Sequence, residues 1–392
     1  MERSILAQIA QDFYSPAYVF ELDELTQRLA MIREQLGGSA GLCYAMKANP
    51  FLVDHMKGLV DRFEVGSPGE FAICERNHIP AASIVLSGVN KERREIERVL
   101  NTYAGQIIFT VESEQQFQLL ASCSQGKKET IKIILRLTSG NQFGMDEETI
   151  YRILNQLGCY PALELISLQY YSGTQKKKIS LIERELKYLD EFCIKLQNSF
   201  QITLSDLEYG PGLYTPYFEQ DDDVNDIELL TALRKLLENM RFGGKIMLEM
   251  GRYMTALCGY YITSVVDMKH NQDQNFCIID GGINHVNYYG QTMAMKTPPV
   301  MHLAQEQNGK VENWHVCGSL CTAGDVIVKQ LPLRHLSVND ILVFGKLGAY
   351  SITEGIYLFL SRDLPKVLFY NHAEGIQLVR PALATHTLNS II

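Results

Sequence analysis

The cysteines of this 392-residue sequence lack the spacing of a disulfide framework or a zinc site. Nine cysteines are scattered along the chain, and no two of them form a C-x-x-C pair. Cys317 and Cys321 are four residues apart, but no further cysteine or histidine follows at the spacing that would complete a zinc tetrahedron. We therefore expect free thiols in a reducing compartment and no metal.

Long apolar runs and an excess of positive charge are also missing. No stretch approaches the ~18 uninterrupted apolar residues of a membrane-spanning helix. Residues 1–8 lack the apolar centre of a signal peptide. The formal net charge is −9, which provides no basic surface for nucleic acid or an anionic membrane. These absences predict a cytoplasmic globular protein that binds neither nucleic acid nor membrane.

Short apolar runs alternate with longer amphipathic stretches between residues 42 and 250. This alternation is typical of parallel strands that are joined by helices. Eight such strands predict a (β/α)8 barrel, in which reactive groups lie where strands end and loops begin. We predict the strands at 42–46, 62–66, 83–87, 106–110, 131–137, 163–170, 205–210 and 245–250.

A different pattern begins after residue 255, where strands follow one another without long helices between them. We interpret this region as a β-sandwich or β-barrel domain. The segment 15–22 (SPAYVFEL) is also strand-like and precedes the barrel, so it is a candidate strand of the same domain. The fold class is therefore α/β, with a barrel over 23–255 and a β domain formed by 1–22 and 256–392.

Charged residues stand at the ends of the first and last predicted barrel strands. Lys47 follows the first strand, where we expect burial at the barrel mouth to lower the pKa of its amine and make it a nucleophile for an aldehyde. Glu249 ends the eighth strand and is followed by Gly251 and Arg252, a set that suits an anionic ring cofactor. A lysine that extends into solvent and a structural Glu–Arg pair are the alternative explanations.

Glycines follow two other predicted strands. Residues 209–212 (YGPG) end the seventh strand, and residues 172–174 (SGT) follow the sixth. Glycines beside the start of a helix expose backbone N–H groups that can bind phosphate. Ordinary turns have the same composition, so each segment alone leaves both interpretations open.

Taken in chain order, these segments resemble motifs of the fold-type III decarboxylases that use pyridoxal 5'-phosphate (PLP), such as those of diaminopimelate and ornithine. The resemblance covers nearly the whole chain and implies an alanine-racemase-like barrel, a C-terminal β domain, PLP as cofactor and carboxy-lyase activity. The motifs are YAMKAN (44–49), EVGSPGE (64–70), SGVNK (87–91), QFGMD (142–146), SGTQ (172–175), GPG (210–212), EMGR (249–252), DGG (280–282), CTAGD (321–325) and GAY (348–350).

The resemblance also implies roles for individual residues. Lys47 would bind the cofactor aldehyde covalently, and Glu249 would pair with the pyridine nitrogen. Because related racemases have an arginine there, a glutamate indicates decarboxylation. Family members are homodimers with shared active sites, so Cys321 would reach the partner's barrel and help to deliver a proton, with Lys47 as the competing donor. The remaining cofactor contacts are expected from Tyr171, Thr174, Gly210, Gly212, Gly251, Arg252 and Tyr350.

Several positions depart from the family pattern. Tyr171 replaces the histidine that stacks on the pyridine ring, and Gln169 replaces a second histidine two positions earlier. Thr322 stands where enzymes of diamino acids have an acid that binds the distal ammonium group. A neutral hydroxyl does not balance a desolvated ammonium, so a free diamino acid is disfavoured unless another carboxylate substitutes. Asp325 is the nearest candidate for that role.

These departures resemble the branch that decarboxylates conjugated amino acids in natural-product and siderophore biosynthesis, including substrates carried on an acyl carrier protein. An acidic carrier would need a local basic patch such as residues 176–178 (KKK), which is otherwise a solvated helix start. The alternatives are a meso-diaminopimelate decarboxylase of lysine biosynthesis, an amino-acid racemase or epimerase, and a non-catalytic PLP carrier. Such carriers lack the β domain, which disfavours the last alternative.

Overall fold

The computed structural model describes residues 1–288, 294–304 and 308–391. The chain divides into two compact units. The barrel unit comprises Leu29–Tyr214 and Val224–Tyr253, and the sheet unit comprises Met1–Arg28, Thr215–Asp223 and Met254–Ile392. The segment Thr215–Asp223, which the sequence pattern assigned to the barrel, thus groups with the sheet unit.

Eight parallel strands close the barrel in chain order, and the last of them pairs with the first. Each lies within two residues of its predicted bounds, so the predicted (β/α)8 barrel is confirmed. Numbered in chain order after β1 (Ala17–Glu21) of the sheet unit, they are β2 (Gly41–Ala45), β3 (Arg62–Val65), β4 (Ile84–Leu86), β5 (Ile108–Val111), β6 (Ile131–Leu137), β7 (Leu163–Tyr171), β8 (Asp206–Gly210) and β9 (Lys245–Met250).

Helices connect these strands, and polar residues cap several of their first turns. The side chains of Ser67, Ser113 and Asp146 each accept a hydrogen bond from the backbone N–H three residues later, which stabilises the helix start. The described α-helices are α1 (Arg3–Phe13), α2 (Leu22–Leu36), α3 (Pro68–Arg76), α4 (Arg93–Tyr103), α5 (Glu114–Cys123), α6 (Glu147–Leu157), α7 (Ile179–Phe200), α8 (Asp226–Glu238) and α9 (Arg252–Thr255).

The barrel strands are nearly continuous apolar runs because both faces of each strand are buried. Strand β5 is buried at all four of its positions. Burial of a large aliphatic side chain stabilises the fold by about 1.5–3 kcal/mol, so this layer holds the strands together and positions their ends. One cluster packs four aliphatic side chains from four successive strands, namely Val85, Ile108, Ile134 and Ile166.

The sheet unit contains a mixed sheet of nine described strands. The predicted strand over 15–22 is found as β1, which pairs antiparallel with β10 (Gly259–Asn271) and parallel with β16 (Lys366–Asn371). Apolar side chains of α1, including Leu6 and Ile9, pack on this sheet. The other strands are β11 (Gln274–Ile279), β12 (Val300–Leu303), β13 (Val311–Cys317), β14 (Val326–Arg334), β15 (Ile341–Phe344) and β17 (Gly375–Arg380).

Three general features of the described residues bear on function. None of their helices is long and apolar enough to cross a membrane. Within the same residues, no group of three or more His, Cys, Asp or Glu side chains is arranged to hold a metal ion. The nine cysteines are free thiols.

Candidate active site

Lys47 lies beside two carboxylates at the carboxyl end of the barrel strands. Strand β2 ends at Ala45, and a short 3-10 turn over Met46–Ala48 carries the lysine. Its Nζ is 3.3 Å from Oε2 of Glu64 and 3.8 Å from Oε1 of Glu249. An amine is thus held by two acidic groups in the region where barrel proteins place their reactive side chains.

The expected burial of Lys47 is wrong for this structure. Its side chain retains 52% of its accessible surface, whereas the side chains of Glu64 and Glu249 retain 7% and 9%. The reason is the 3-10 turn, in which Met46 and Ala48 fill the interior and Lys47 projects past the strand end. The position of this amine therefore depends on the two carboxylates rather than on apolar burial.

Glu249 is a buried carboxylate whose charge state depends on its neighbours. Burial raises its pKa, and the nearby Glu64 carboxylate raises it further, while Lys47 and Arg136 oppose both effects. The side-chain amide of Gln169 donates a hydrogen bond to its Oε2 at 2.9 Å. Such a residue can accept a hydrogen bond from a protonated ring nitrogen, since a desolvated acceptor binds charged donors strongly.

The barrel interior below Glu249 contains a polar network that the sequence pattern did not reveal. Gln169 of β7 stands opposite Glu208 of β8 and donates to its Oε1 at 3.0 Å. Arg62 of β3 approaches Glu208 at 3.6 Å and bonds Asp206 at 2.9 Å. Burial and the charge of Glu249 raise the pKa of Glu208 to about 8. The network thus links the start of β8 to the carboxylate beside Lys47.

Glycines bring the ends of β7, β8 and β9 close to neighbouring backbone. Gly212 has φ +59°, and a Cβ there would lie 2.0 Å from the carbonyl oxygen of Gly173. A Cβ on Gly251 would lie 2.7 Å from Cβ of Ala48, next to the turn that carries Lys47. Larger residues would push these segments apart, so the loops form a compact rim with backbone groups near its surface.

Tyr171 and Thr174 lie on this rim and contact each other. The Tyr171 ring covers Gly210, where a Cβ would lie 2.6 Å from its Cδ2. Burial raises the pKa of the Tyr171 hydroxyl, which the charge of Lys47 and a hydrogen bond with Thr174 oppose. The phenol ring is therefore neutral at physiological pH and offers an aromatic face near the lysine.

The run 176–178 does not form the basic patch that an acidic carrier would need. Lys176 is buried, and its Nζ is 2.7 Å from Glu185, which also accepts hydrogen bonds from Ser172 and Tyr209. Lys177 lies over the Tyr214 ring at 4.5 Å. Lys176 thus has a structural role within the barrel unit, and the run does not present three free charges to an acidic carrier.

Cys321, Thr322, Asp325 and Tyr350 are the predicted site residues of the sheet unit, whereas Arg252 belongs to the barrel unit. Cys321 and Thr322 are exposed on the loop between β13 and β14. Tyr350 lies on a turn at φ +66°, and its carbonyl oxygen accepts hydrogen bonds from the backbone of Thr353 and Glu354. The side chains of Cys321 and Thr322 are therefore accessible from outside the sheet unit.

Asp325 requires a correction. It was the candidate carboxylate for a substrate ammonium group, yet it is only 3% exposed. Its two oxygens accept backbone N–H groups of Ile283 and Leu320, each at 2.8 Å. A carboxylate held in this way fixes the loop that carries Cys321 and Thr322, and we assign it that structural role instead.

Comparison with known proteins extends this description. A family model described as "Pyridoxal-dependent decarboxylase, C-terminal sheet domain" matches residues 18–348. The L-glutamyl-[BtrI acyl-carrier protein] decarboxylase of Niallia circulans is 22% identical, and the alignment covers 93% of this chain and 91% of that protein. Diaminopimelate decarboxylase of Aquifex aeolicus is 26% identical, with 96% and 91% covered.

A relative from Staphylococcus aureus and a solved structure add to these likenesses. The 2-[(L-alanin-3-ylcarbamoyl)methyl]-2-hydroxybutanedioate decarboxylase of Staphylococcus aureus is 24% identical, with 90% of this chain and 93% of that protein covered. Diaminopimelate decarboxylase from Helicobacter pylori, solved with L-lysine, matches with a TM-score of 0.85 at 22% identity, covering 97% of this chain and 98% of that chain. The structural likeness concerns the fold alone.

Proposed function

This chain belongs to the pyridoxal-dependent decarboxylases, and we propose that it acts on a conjugated or carrier-bound amino acid rather than on a free diamino acid. Its cofactor is PLP, and its reaction is the decarboxylation of an amino acid. The observation that carries the proposal is Thr322, a neutral and exposed side chain that follows Cys321. In the family pattern, position 322 faces the distal end of the substrate. A neutral side chain there supports a substrate that has no distal ammonium group.

The residues of the barrel fit PLP by their chemistry. The Lys47 amine suits an aldehyde, and the buried Glu249 carboxylate suits a pyridine nitrogen of the same small molecule, once the 3.8 Å ion pair between the two side chains opens to admit the ring. The close backbone at Gly212 and Gly173 and the guanidinium of Arg252 suit a phosphate. When bound, the cofactor supplies the electron-withdrawing ring that loss of CO2 requires.

The side chains of this chain would divide the work as follows. Lys47 would hold the cofactor through Nζ, next to the Glu64 and Glu249 carboxylates. Glu249 would accept a hydrogen bond from the ring nitrogen and favour its protonated form. Tyr171 would supply an aromatic face for the ring. The groups that would bind the phosphate are those of Thr174, Gly210, Gly212, Gly251, Arg252 and Tyr350.

The identity of residue 322 bears on the substrate's distal group. A distal ammonium that enters a protein site needs a carboxylate partner, because an unbalanced buried charge is costly. Thr322 provides no charge, and the Asp325 carboxylate is held by backbone amides. The relatives from Niallia circulans and Staphylococcus aureus are named for a carrier-bound glutamyl group and an amide-linked alanine. A neutral Thr322 suits substrates of that chemistry.

We expect CO2 release from an amide-conjugated or carrier-bound amino acid to exceed that from meso-diaminopimelate by at least about 100-fold in kcat/KM. A screen of free, conjugated and carrier-bound amino acids by mass spectrometry would measure it. The variant Thr322→Asp should narrow this ratio, since it adds a charge for the distal ammonium, whereas Ala323→Asp on the same exposed loop should not. Rapid turnover of meso-diaminopimelate by the wild type would favour the alternative, a diaminopimelate decarboxylase.

Cys321 is expected to act in catalysis rather than in cofactor binding. We propose a homodimer in which Cys321 of the partner subunit helps to protonate the substrate carbon after CO2 leaves. Cys321→Ala should lower kcat about 100-fold or more and leave PLP occupancy nearly unchanged. Equal losses of turnover and occupancy would contradict this role.

The shared active site has its own test. Mixed dimers of Cys321→Ala and Lys47→Ala subunits contain one intact site each, so statistical mixing should restore about a quarter of wild-type activity. If both residues act within one subunit, the mixture should stay as inactive as its parents.

A further inference from the structure

The side-chain amide of Gln169 lies between two buried carboxylates. Its Nε2 donates to Oε1 of Glu208 at 3.0 Å and to Oε2 of Glu249 at 2.9 Å. Gln169 is 2% exposed and Glu208 is fully buried. From this geometry we propose that Gln169 is a positioning residue for Glu249, with Glu208 as the neighbour that carries a proton so that Glu249 can remain charged.

The surroundings of Glu208 favour its protonated form. It faces Glu249, Glu64 and the Cys43 thiol, with Arg62 as the nearby cation at 3.6 Å. Arg62 is already hydrogen-bonded to Asp206. In the described residues, the second oxygen of Glu208 has no hydrogen-bond partner. A fully buried carboxylate with one hydrogen bond and an anionic neighbour is more stable when neutral.

Glu249 differs from Glu208 in its contacts. Its Oε2 is held by Gln169, while its Oε1 points to the amine side of the site, 3.8 Å from Nζ of Lys47. Gln169 therefore fixes the rotation of the Glu249 carboxyl group and offers a donor that favours the anion. This inference rests on the proposed pairing of Glu249 with the pyridine nitrogen.

The amide contact can be removed without adding charge. Gln169→Leu should raise the dissociation constant of PLP about 10-fold or more and lower kcat about 10- to 100-fold, with KM for the amino acid little changed. Gln169→His, which keeps an N–H donor, should recover most of the affinity for PLP. Spectroscopic titration of the purified enzyme with PLP measures the dissociation constant of PLP, and steady-state kinetics measure kcat and KM.

Gln116→Leu is the matched control. Gln116 is also a buried barrel amide, but it bonds the backbone of Glu112 and Val89. This variant should lower the melting temperature and leave PLP affinity within about 3-fold of wild type. If Gln169→Leu affects PLP affinity no more than Gln116→Leu, the positioning role is wrong.

The raised pKa of Glu208 should make the stability of the folded protein depend on pH, and this dependence tests the same network. Its pKa in the folded state is about 8, above the ordinary value of 4.5, so the native protein keeps a proton that the unfolded chain has released. Stability should therefore fall as pH rises through this window and level off above it. The variant Glu208→Gln has no carboxyl group at this position and therefore lacks this loss of stability. The melting temperature of the variant minus that of the wild type should increase between about pH 5 and pH 8.

The outcomes are separable. A constant difference in melting temperature across this pH range would show that Glu208 does not hold the proton and would overturn the inference. A wild-type protein that shows no visible absorption with PLP would overturn the proposed function, and the inference with it. A coloured wild type with an unaffected Gln169→Leu would overturn the inference alone.

Discussion

Replacing Lys47 with alanine is expected to abolish both the visible absorption of the PLP-loaded enzyme and its release of CO2. The amine of Lys47 is the group that lies between Glu64 and Glu249, so its removal takes away the nucleophile for a covalent attachment at that point. Turnover should fall by at least about 1,000-fold, because the variant loses both the attachment and a proton-transfer group. Absorption spectra and a CO2 assay on the purified variant would measure both effects.

A second barrel lysine provides the control for this experiment. Burial lowers the pKa of Lys91 to about 8, so its amine is also a plausible target for an aldehyde. Its Nζ donates to the carbonyl oxygen of Gly88 at 2.7 Å, which indicates a structural role. Lys91→Met should therefore keep the absorption band and lose some stability. If the band survives in Lys47→Ala and disappears in Lys91→Met, the cofactor is attached to Lys91 and the role of Lys47 is wrong.

The barrel and its strand-end residues could be predicted because the signal is local. Each barrel strand is an apolar run followed by an amphipathic stretch, so Lys47 and Glu249 could be placed at strand ends from their own neighbourhoods. Closing the barrel then brings β2 next to β9, where Cys43 pairs with Glu249. Residues about 200 positions apart thus meet because the parallel strands form a closed barrel, in which the last strand pairs with the first.

The interior polar network could not be predicted because its signal is not local. Glu208 in a strand looks like an ordinary outward-facing residue, and Arg62 looks like a solvated strand start. The full burial of Glu208 and the partial burial of Arg62 depend on which face of each strand turns inward and on the partners that β7 and β8 bring together. Gln169 was recognised as a departure from a histidine, but only the packed barrel shows that it bonds Glu208 and Glu249.

The errors about Lys47 and Asp325 have similar physical causes. A strand-end position predicted burial for Lys47, but the residue lies in a 3-10 turn past the strand end, where about half of its side chain stays exposed. Proximity in sequence made Asp325 a candidate for the substrate, but its carboxylate accepts backbone N–H groups of its own loop. In both cases the local backbone conformation decided the outcome, and this conformation is the least visible property of a sequence.

Glu249→Gln is expected to retain bound PLP while turnover falls about 100- to 1,000-fold. The amide keeps the shape of the carboxyl group but carries no charge, so it does not hold the ring nitrogen in its protonated form. The effect should appear in kcat, since the lost interaction stabilises charge that develops during loss of CO2. Steady-state kinetics and the pH dependence of the absorption spectrum would measure it.

Glu64→Gln is the matched control for Glu249→Gln, because it removes the other carboxylate beside Lys47 at a similar distance, 3.3 Å against 3.8 Å. If the only role of both acids is to hold the amine, the two variants should lose turnover equally. We expect instead that Glu64→Gln weakens PLP attachment more than it lowers kcat.

The racemase alternative makes a different prediction, in which the wild type exchanges the α-hydrogen with solvent deuterium and releases no CO2. The two variants therefore assign Glu249 to the cofactor ring or remove it from that role, and the isotope measurement on the wild type tests the racemase alternative.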